Sequence, residues 1–151
     1  MYGMDAAVPI GPVNVKVEAA YFTSTNPQSD QYVLYVLQLE RQAGEWSFAG
    51  GYAGEATTDA RGTVQFSPTR GFARSVVAHA SYTIDTNRSL TLETIVRQNL
   101  DGMWLRAEYS QAIGQHLRAT AAFALIRGEP TDFIGQYRLN SHALLTVRYS
   151  F

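Results

Sequence analysis

The stretch Ala143-Leu144-Leu145-Thr146-Val147-Arg148-Tyr149-Ser150-Phe151 alternates apolar with polar or small residues up to an aromatic last residue. A strand turns successive side chains to opposite faces. Ala143, Leu145, Val147 and Tyr149 therefore line one face, while His142, Thr146, Arg148 and Ser150 make the other mostly polar. Such a strand separates two media, one apolar and one wet. An edge strand of a soluble sandwich and a strand between lipid and a polar lumen both fit it.

Working back from Phe151, the same period of two divides the chain into eight segments of about ten residues, the length a tilted strand needs to cross a bilayer. They lie near 13–23, 32–41, 45–55, 72–84, 89–98, 102–111, 116–127 and 142–151, most of them separated by Gly, Pro, Asn or Asp clusters. Helical spacing fits none of them. The fold class expected is all-β, antiparallel and up-and-down, in a single domain of residues 1–151 with 1–12 as an N-terminal segment ahead of the first strand. Connectors alternate in length. Gln42–Gly44, Asp85–Arg88 and Ala112–Gln115 are short and fall on one side. Ser24–Gln31, Ala56–Gly71 and Gly128–Ser141 are longer and fall on the other, with Asn99–Asp101 the tight exception. Short turns on one side and long loops on the other are a barrel signature. The longest connector, Ala56–Gly71, folds inward as a constriction or stays outside; its sequence fits either.

Composition narrows the function classes. A formal net charge of -1, with eleven Arg and one Lys and no block of like charge, gives no electrostatic reason to bind nucleic acid. The absence of cysteine excludes a disulfide framework and a thiolate metal site. No stretch has the length of apolar sequence that a membrane helix requires, so a membrane-spanning form would have to cross as strands. No leader precedes Tyr2, as expected for a mature or recombinant form.

Strand parity sorts the charges. Lys16, Glu18, Glu40, Glu55, Glu93, Arg97, Arg106, Glu108, Arg118 and Arg148 share the face taken as inward, five of each sign. The other face carries Val13, Val15, Val17, Leu37, Leu39, Leu92, Leu105, Leu125 and similar residues, with Arg74 and Arg127 as the expected exceptions at loop-side strand ends. On that apolar face, Trp46, Tyr82, Tyr109, Tyr149 and Phe151 fall near the short turns. Tyr21, Tyr35, Tyr52, Phe72 and Phe123 fall near the long loops. Two aromatic belts at the edges of an apolar band are what a bilayer selects. An eight-stranded closed barrel has a lumen about filled by side chains, so the inward charges are expected to form a paired, structural network. Inward Leu34, Val36, Ile95, Trp104, Ile126 and Leu144 favour a packed, narrow interior.

The alternation that ends on Phe151 resembles the closing strand of bacterial outer-membrane β-barrels, and Gly135-Gln-Tyr-Arg-Leu-Asn140 leading into it resembles the end of large porins. Near the other end, Gly3–Phe22 resembles an internal porin hairpin: a strand end, a Pro-Gly turn, then a strand with an inward Glu18. The resemblance implies a transmembrane barrel matching the C-terminal eight strands of a wider porin. Short turns and residues 1–12 would be periplasmic, and Met1 would be a cut or start inside that larger ancestor. It further implies a bacterial outer-membrane location and Leu145, Val147, Tyr149 and Phe151 as the signal read by the assembly machinery. Expected partners are a lipid bilayer or detergent, that machinery and small polar solutes; no cofactor, metal or catalytic residue is implied. The function expected is a narrow passive pore or a membrane scaffold. A soluble lipocalin-type ligand-binding barrel is the competing reading, and its interior would be apolar and its outside polar. A third is an outer-membrane lipid hydrolase. His79-Ala80-Ser81 resembles the His-x-Ser pair of such enzymes, but parity turns both side chains inward and no carboxylate partner is assignable. The three histidines, His79, His116 and His142, fall on different strands without ligand spacing.

Overall fold

The computed structural model describes residues 1–61 and 70–151. They form one antiparallel sheet whose spatial order is the chain order: β1 (Tyr2–Ile10), β2 (Val13–Phe22), β3 (Gln31–Ala43), β4 (Trp46–Asp59), β5 (Ser75–Asp85), β6 (Arg88–Arg97), β7 (Gly102–Ile113), β8 (Leu117–Gly128) and β9 (His142–Tyr149). A short 3-10 helix, Gly135–Asn140, precedes β9.

The expected up-and-down all-β fold is present, with two corrections. There are nine strands rather than eight, because Tyr2–Ile10 pairs residue for residue with β2, from Tyr2 opposite Tyr21 to Ile10 opposite Val13. Its alternation Tyr2, Met4, Ala6, Val8, Ile10 was legible, but Pro9 and the small residues between obscured it as a ten-residue span. A tight turn at Gly11–Pro12 joins β1 to β2, with Gly11 at φ 58°, a conformation that favours glycine. The sheet is also not closed: β1 and β9 stand at its two ends.

The remaining strands agree with the alternation to within a few residues. β4 runs on to Asp59, and β5 begins at Ser75 instead of 72, because Arg74 at φ 59° turns the chain just before it. Short turns at 11–12, 44–45, 86–87 and 114–116 share one side. The connections 23–30, 60–74 and 129–141 share the other, with the tight turn 98–101. The inward or outward course of the Ala56–Gly71 connector falls largely outside the described residues; its first four residues are strand.

The register is steeply staggered. A row of directly paired residues begins at Pro9, next to the last residue of β1. It passes through Asn14, Glu40, Ala49, His79, Glu93, Arg106 and Ala124 and arrives at His142, the first residue of β9. An offset of about one residue per strand belongs to strands tilted by roughly 35–45°, as in barrels.

Paired residues share a face, so these rows fix both faces of the sheet. Face A carries the row Val15, Leu39, Gly50, Ala78, Thr94, Leu105, Leu125; face B carries the row just traced. The core is nearly absent. Among the described residues the buried apolar side chains are Ala73, Ala124 and Ile134, whereas Leu39 (52% exposed), Val76 (50%), Phe123 (50%) and Leu145 (73%) lie bare on face A.

Candidate functional site

Face B gathers the chemistry. Every charge assigned inward from the sequence lies on it, and Asp5, opposite Glu18, is an eleventh that the missed strand concealed. The apolar residues Leu34, Val36, Ile95, Trp104, Ile126 and Leu144 share it too. Face A admits charge only at its margins. Arg127 lies opposite Met103 as expected. Arg41, opposite Phe48, and Arg88, opposite Gln111, are further exceptions at the short-turn ends, and Arg74 sits in the turn before β5 instead of on a strand. Three recesses open on face B, with cavity volumes of about 330, 490 and 260 Å³. The sheet is therefore hollowed on its charged side.

The expected network of mutual pairs forms only in part. In the middle of the sheet, Lys16 Nζ donates to Glu40 Oε1 at 2.8 Å, and Gln38 Nε2 donates to the same oxygen at 2.6 Å. Further round, Arg106 bridges Glu93, at 3.2 Å, and Glu108. These groups are about one-third exposed, so each pair contributes at most about 1 kcal/mol. His79 Nδ1 lies 3.4 Å from Glu93 Oε1, a partner that spacing along one strand could not reveal because the two meet across β5 and β6. Ser81 shares the face two residues on, one pair closer to the short turns, and among the described residues no hydrogen bond joins it to His79. His116 and His142 bond instead to the carbonyls of Ser150 (2.9 Å) and Asn140 (2.8 Å). No group of three or more potential metal-ligating side chains occurs among the described residues.

Two inward charges are engaged by the long loops, which parity could not foresee. Glu55 receives a two-pronged bond from Arg70, Nε to Oε2 at 2.7 Å and Nη2 to Oε1 at 2.5 Å. Arg70 also reaches Asp30 at 3.3 Å and stacks 4.6 Å over the Tyr32 ring. The Glu55 hydrogen bonds push the Arg70 guanidinium above its ordinary range, so it stays charged at every pH the fold meets. Arg97 Nε donates to Asp132 Oδ2 at 2.9 Å. Its Nη1 donates to the carbonyls of Gly71 (3.1 Å) and Ala73 and to the fully buried Ser75 Oγ (3.3 Å). Asp132 Oδ1 in turn accepts from the backbone of Ile134 at 2.8 Å and Gly135 at 3.4 Å. Phe72 and Phe133 close the same corner edge-on, 5.0 Å apart. The loops at this end are thus folded against the sheet by half-buried arginines.

Three inward charges remain. Glu18, Arg118 and Arg148 make no ion pair among the described residues; Arg118 donates only to Ser110 Oγ, at 3.2 Å.

On face A most of the aromatics sit toward the strand ends. Trp46 and Tyr82 are direct partners with rings 4.6 Å apart, Trp46 stacks on Phe48 at 5.3 Å, and Tyr149 meets Phe151 at 5.3 Å, all toward the short turns along with Tyr109. Phe48 was not among the expected belt residues. Tyr21 and Tyr35 lie toward the long loops, the Tyr35 ring over Gly54, whereas Tyr52 and Phe123, expected in the same belt, stand at the middle of β4 and β8; Tyr52 Oη donates to Gln98 at 2.5 Å. Phe72, expected with them, lies outside the strands in the Phe133 corner.

Comparison with protein families, with curated proteins and with solved structures finds no match to this chain.

Proposed function

We propose that this chain forms the wall of a porin-like outer-membrane β-barrel that acts without catalysis, as a passive pore or scaffold. One observation carries the reading: face A is a continuous apolar surface over nine strands, and no second layer among the described residues covers it. A soluble sheet buries such a face against another element. Left in water, each fully exposed Leu or Val forfeits about 1.5–3 kcal/mol that burial would return. Lipid acyl chains supply the missing layer. The marginal positions of Arg41, Arg88 and Arg127, and of Trp46, Tyr82 and Tyr109, suit the level of the headgroups. A lipocalin-type barrel would direct its apolar side chains into the hollow, whereas here the hollow carries the charges. Face B then lines the route for small polar solutes, or pairs to fill it. Leu145, Val147, Tyr149 and Phe151 serve as the signal for the assembly machinery of the bacterial outer membrane. No step on face B calls for a cofactor.

The two tryptophans test this directly, because Trp46 lies on face A and Trp104 on face B. Trp46→Phe and Trp104→Phe variants, refolded into vesicles of lipids brominated on their acyl chains, report one tryptophan each. Strong quenching of Trp46 and weak quenching of Trp104 is the expected result. Equal quenching, or a chain that folds and stays soluble without lipid or detergent, would sink the membrane reading. Planar-bilayer conductance separates the two roles: a folded but silent protein would leave the scaffold and exclude the pore.

A further inference from the structure

We infer that the open sheet docks an odd number of additional β-strands, which close the sheet between β9 and β1, the first and last of them running opposite to those edges. The inference rests on strand direction and edge charge, independently of which apolar medium covers face A.

Direction comes first. Every neighbouring pair is antiparallel and the spatial order follows the chain, so all odd-numbered strands run the same way, β1 and β9 included. Both edges are bare on both faces from end to end. Each offers a row of free backbone donors and acceptors beside exposed apolar side chains, Met4 and Val8 on one edge, Leu145 and Val147 on the other.

Charge is the second, separate observation. On face B, Asp5 lies directly opposite Glu18, and Arg118 directly opposite Arg148. Like charges facing each other across a strand pair repel, and none of the four has an ion-pair partner among the described residues. The first edge pair is acidic and the last basic, and the nearest opposite charges on the face, Lys16 and Glu108, are engaged elsewhere, with Glu40 and Arg106.

The simple completions each fail one of these demands. Joining β9 to β1, within a chain or to a second copy in the same orientation, brings the acids to the arginines but makes a parallel pair in an otherwise antiparallel sheet. Inverting a second copy restores antiparallel pairing, yet it sets β1 on β1 and β9 on β9, acid against acid and arginine against arginine. An odd number of intervening strands meets both demands. Its first and last members run antiparallel to the edges they meet, and their face B side chains are free to differ. The partner is therefore an alternating strand, or three, five or more of them. It would be apolar on face A, with a Lys or Arg beside Asp5 and Glu18 and an Asp or Glu beside Arg118 and Arg148.

The chain has no cysteine, so reporters are easily placed. Ala7 and Thr146 both lie on face B, each three residues before the end of its strand at Ile10 and Tyr149. The full chain carrying Ala7→Cys and Thr146→Cys is refolded in detergent micelles and treated with a short bis-maleimide. Expected is neither a cross-link within the chain nor a linked dimer. The first product would overturn the inference in favour of parallel self-closure, and the second in favour of a second copy. A synthetic ten-residue peptide that alternates Leu with Thr, carrying one Lys, one Glu and one Cys on its Thr side, then serves as a single added strand. It should be captured one to one, at least tenfold more than a peptide of the same length with two central prolines, which cannot pair. Arg148→Glu should lower capture severalfold. Equal capture of the two peptides would overturn the inference, even if the tryptophan experiment places face A in lipid.

Discussion

Faces A and B are made by the same strands in the same register, yet they are governed by different rules. Face A is uniform across the sheet, its polar exceptions are few, and its strand side chains meet mainly through aromatic contacts such as Trp46 with Tyr82 and tyrosine hydrogen bonds such as Tyr109 to Gln111, with an ion pair of Arg88 to Asp85 at the short-turn margin. Face B is a mosaic: Lys16 with Glu40, Arg106 between two carboxylates, and Arg70 and Arg97 pinning the loops. Where one face asks only for a class of side chain, the other asks for particular partners. Substitutions should therefore fail on face A by polarity and on face B by broken pairing.

The largest difference is expected at Arg97. Its partner Asp132 is 6% exposed, and Ser75 beneath it is fully buried. Arg97→Met leaves that carboxylate buried without a cation, a loss of about 3–5 kcal/mol. It should appear as early hydrogen exchange of residues 129–135 and a lowered unfolding midpoint. A double variant with Asp132→Leu should recover much of the loss, because the penalty lies in the uncompensated charge more than in the missing pair. Persistence of the full deficit in the double variant would mean that Arg97 acts through the Gly71 and Ala73 carbonyls instead.

Next comes the contrast between chain neighbours at the middle of β6. Leu92 faces Ala107 on face A, and Thr91 faces Glu108 on face B. Leu92→Arg should cost about 2–4 kcal/mol in a bilayer, the price of a guanidinium at mid-depth. Thr91→Arg finds Glu108 opposite and should change stability by less than about 1 kcal/mol. Denaturant titration of both variants in lipid vesicles measures the difference, and similar losses would mean that the two faces meet the same medium.

These contrasts also show which parts of the molecule were legible from alternation. A period of two reports side by side what each strand shows to each medium, so β2 to β9, both faces and ten inward charges could be read from residue order alone. It carries no information about which residue of the next strand lies opposite, which is why the His79 and Glu93 contact and the opposed Arg118 and Arg148 emerge only with the register. Loops were opaque for another reason. Arg70 and Asp132 belong to no alternation, and their partners Glu55 and Arg97 lie 15 and 35 residues away in the chain. β1 escaped because Gly3, Ala7 and Pro9 give its inward side too little polarity to mark it as a face. Closure was an assumption brought in with the count of eight; a ninth strand changes the direction of one edge and with it what can complete the sheet.

The smallest expected effect concerns two glycines of β4, again one on each face. A Cβ at Gly51, on face B, would overlap the carbonyl of Leu37 in the neighbouring strand, and backbone cannot yield without moving β3 from β4. Gly51→Ala should therefore cost about 1–3 kcal/mol, the range for overpacking. At Gly54 the Cβ would overlap the outer end of the Tyr35 ring, which lies on bare face A and can swing aside. Gly54 is buried beneath that ring, but Gly54→Ala displaces only a side chain and should cost less than about 1 kcal/mol, partly offset by the lower chain entropy of alanine in the unfolded state. Unfolding midpoints of the two variants in the same micelles provide the comparison. A Gly54→Ala loss as large as that of Gly51→Ala would mean that the Tyr35 ring is held in place, and that face A, like face B, depends on particular contacts.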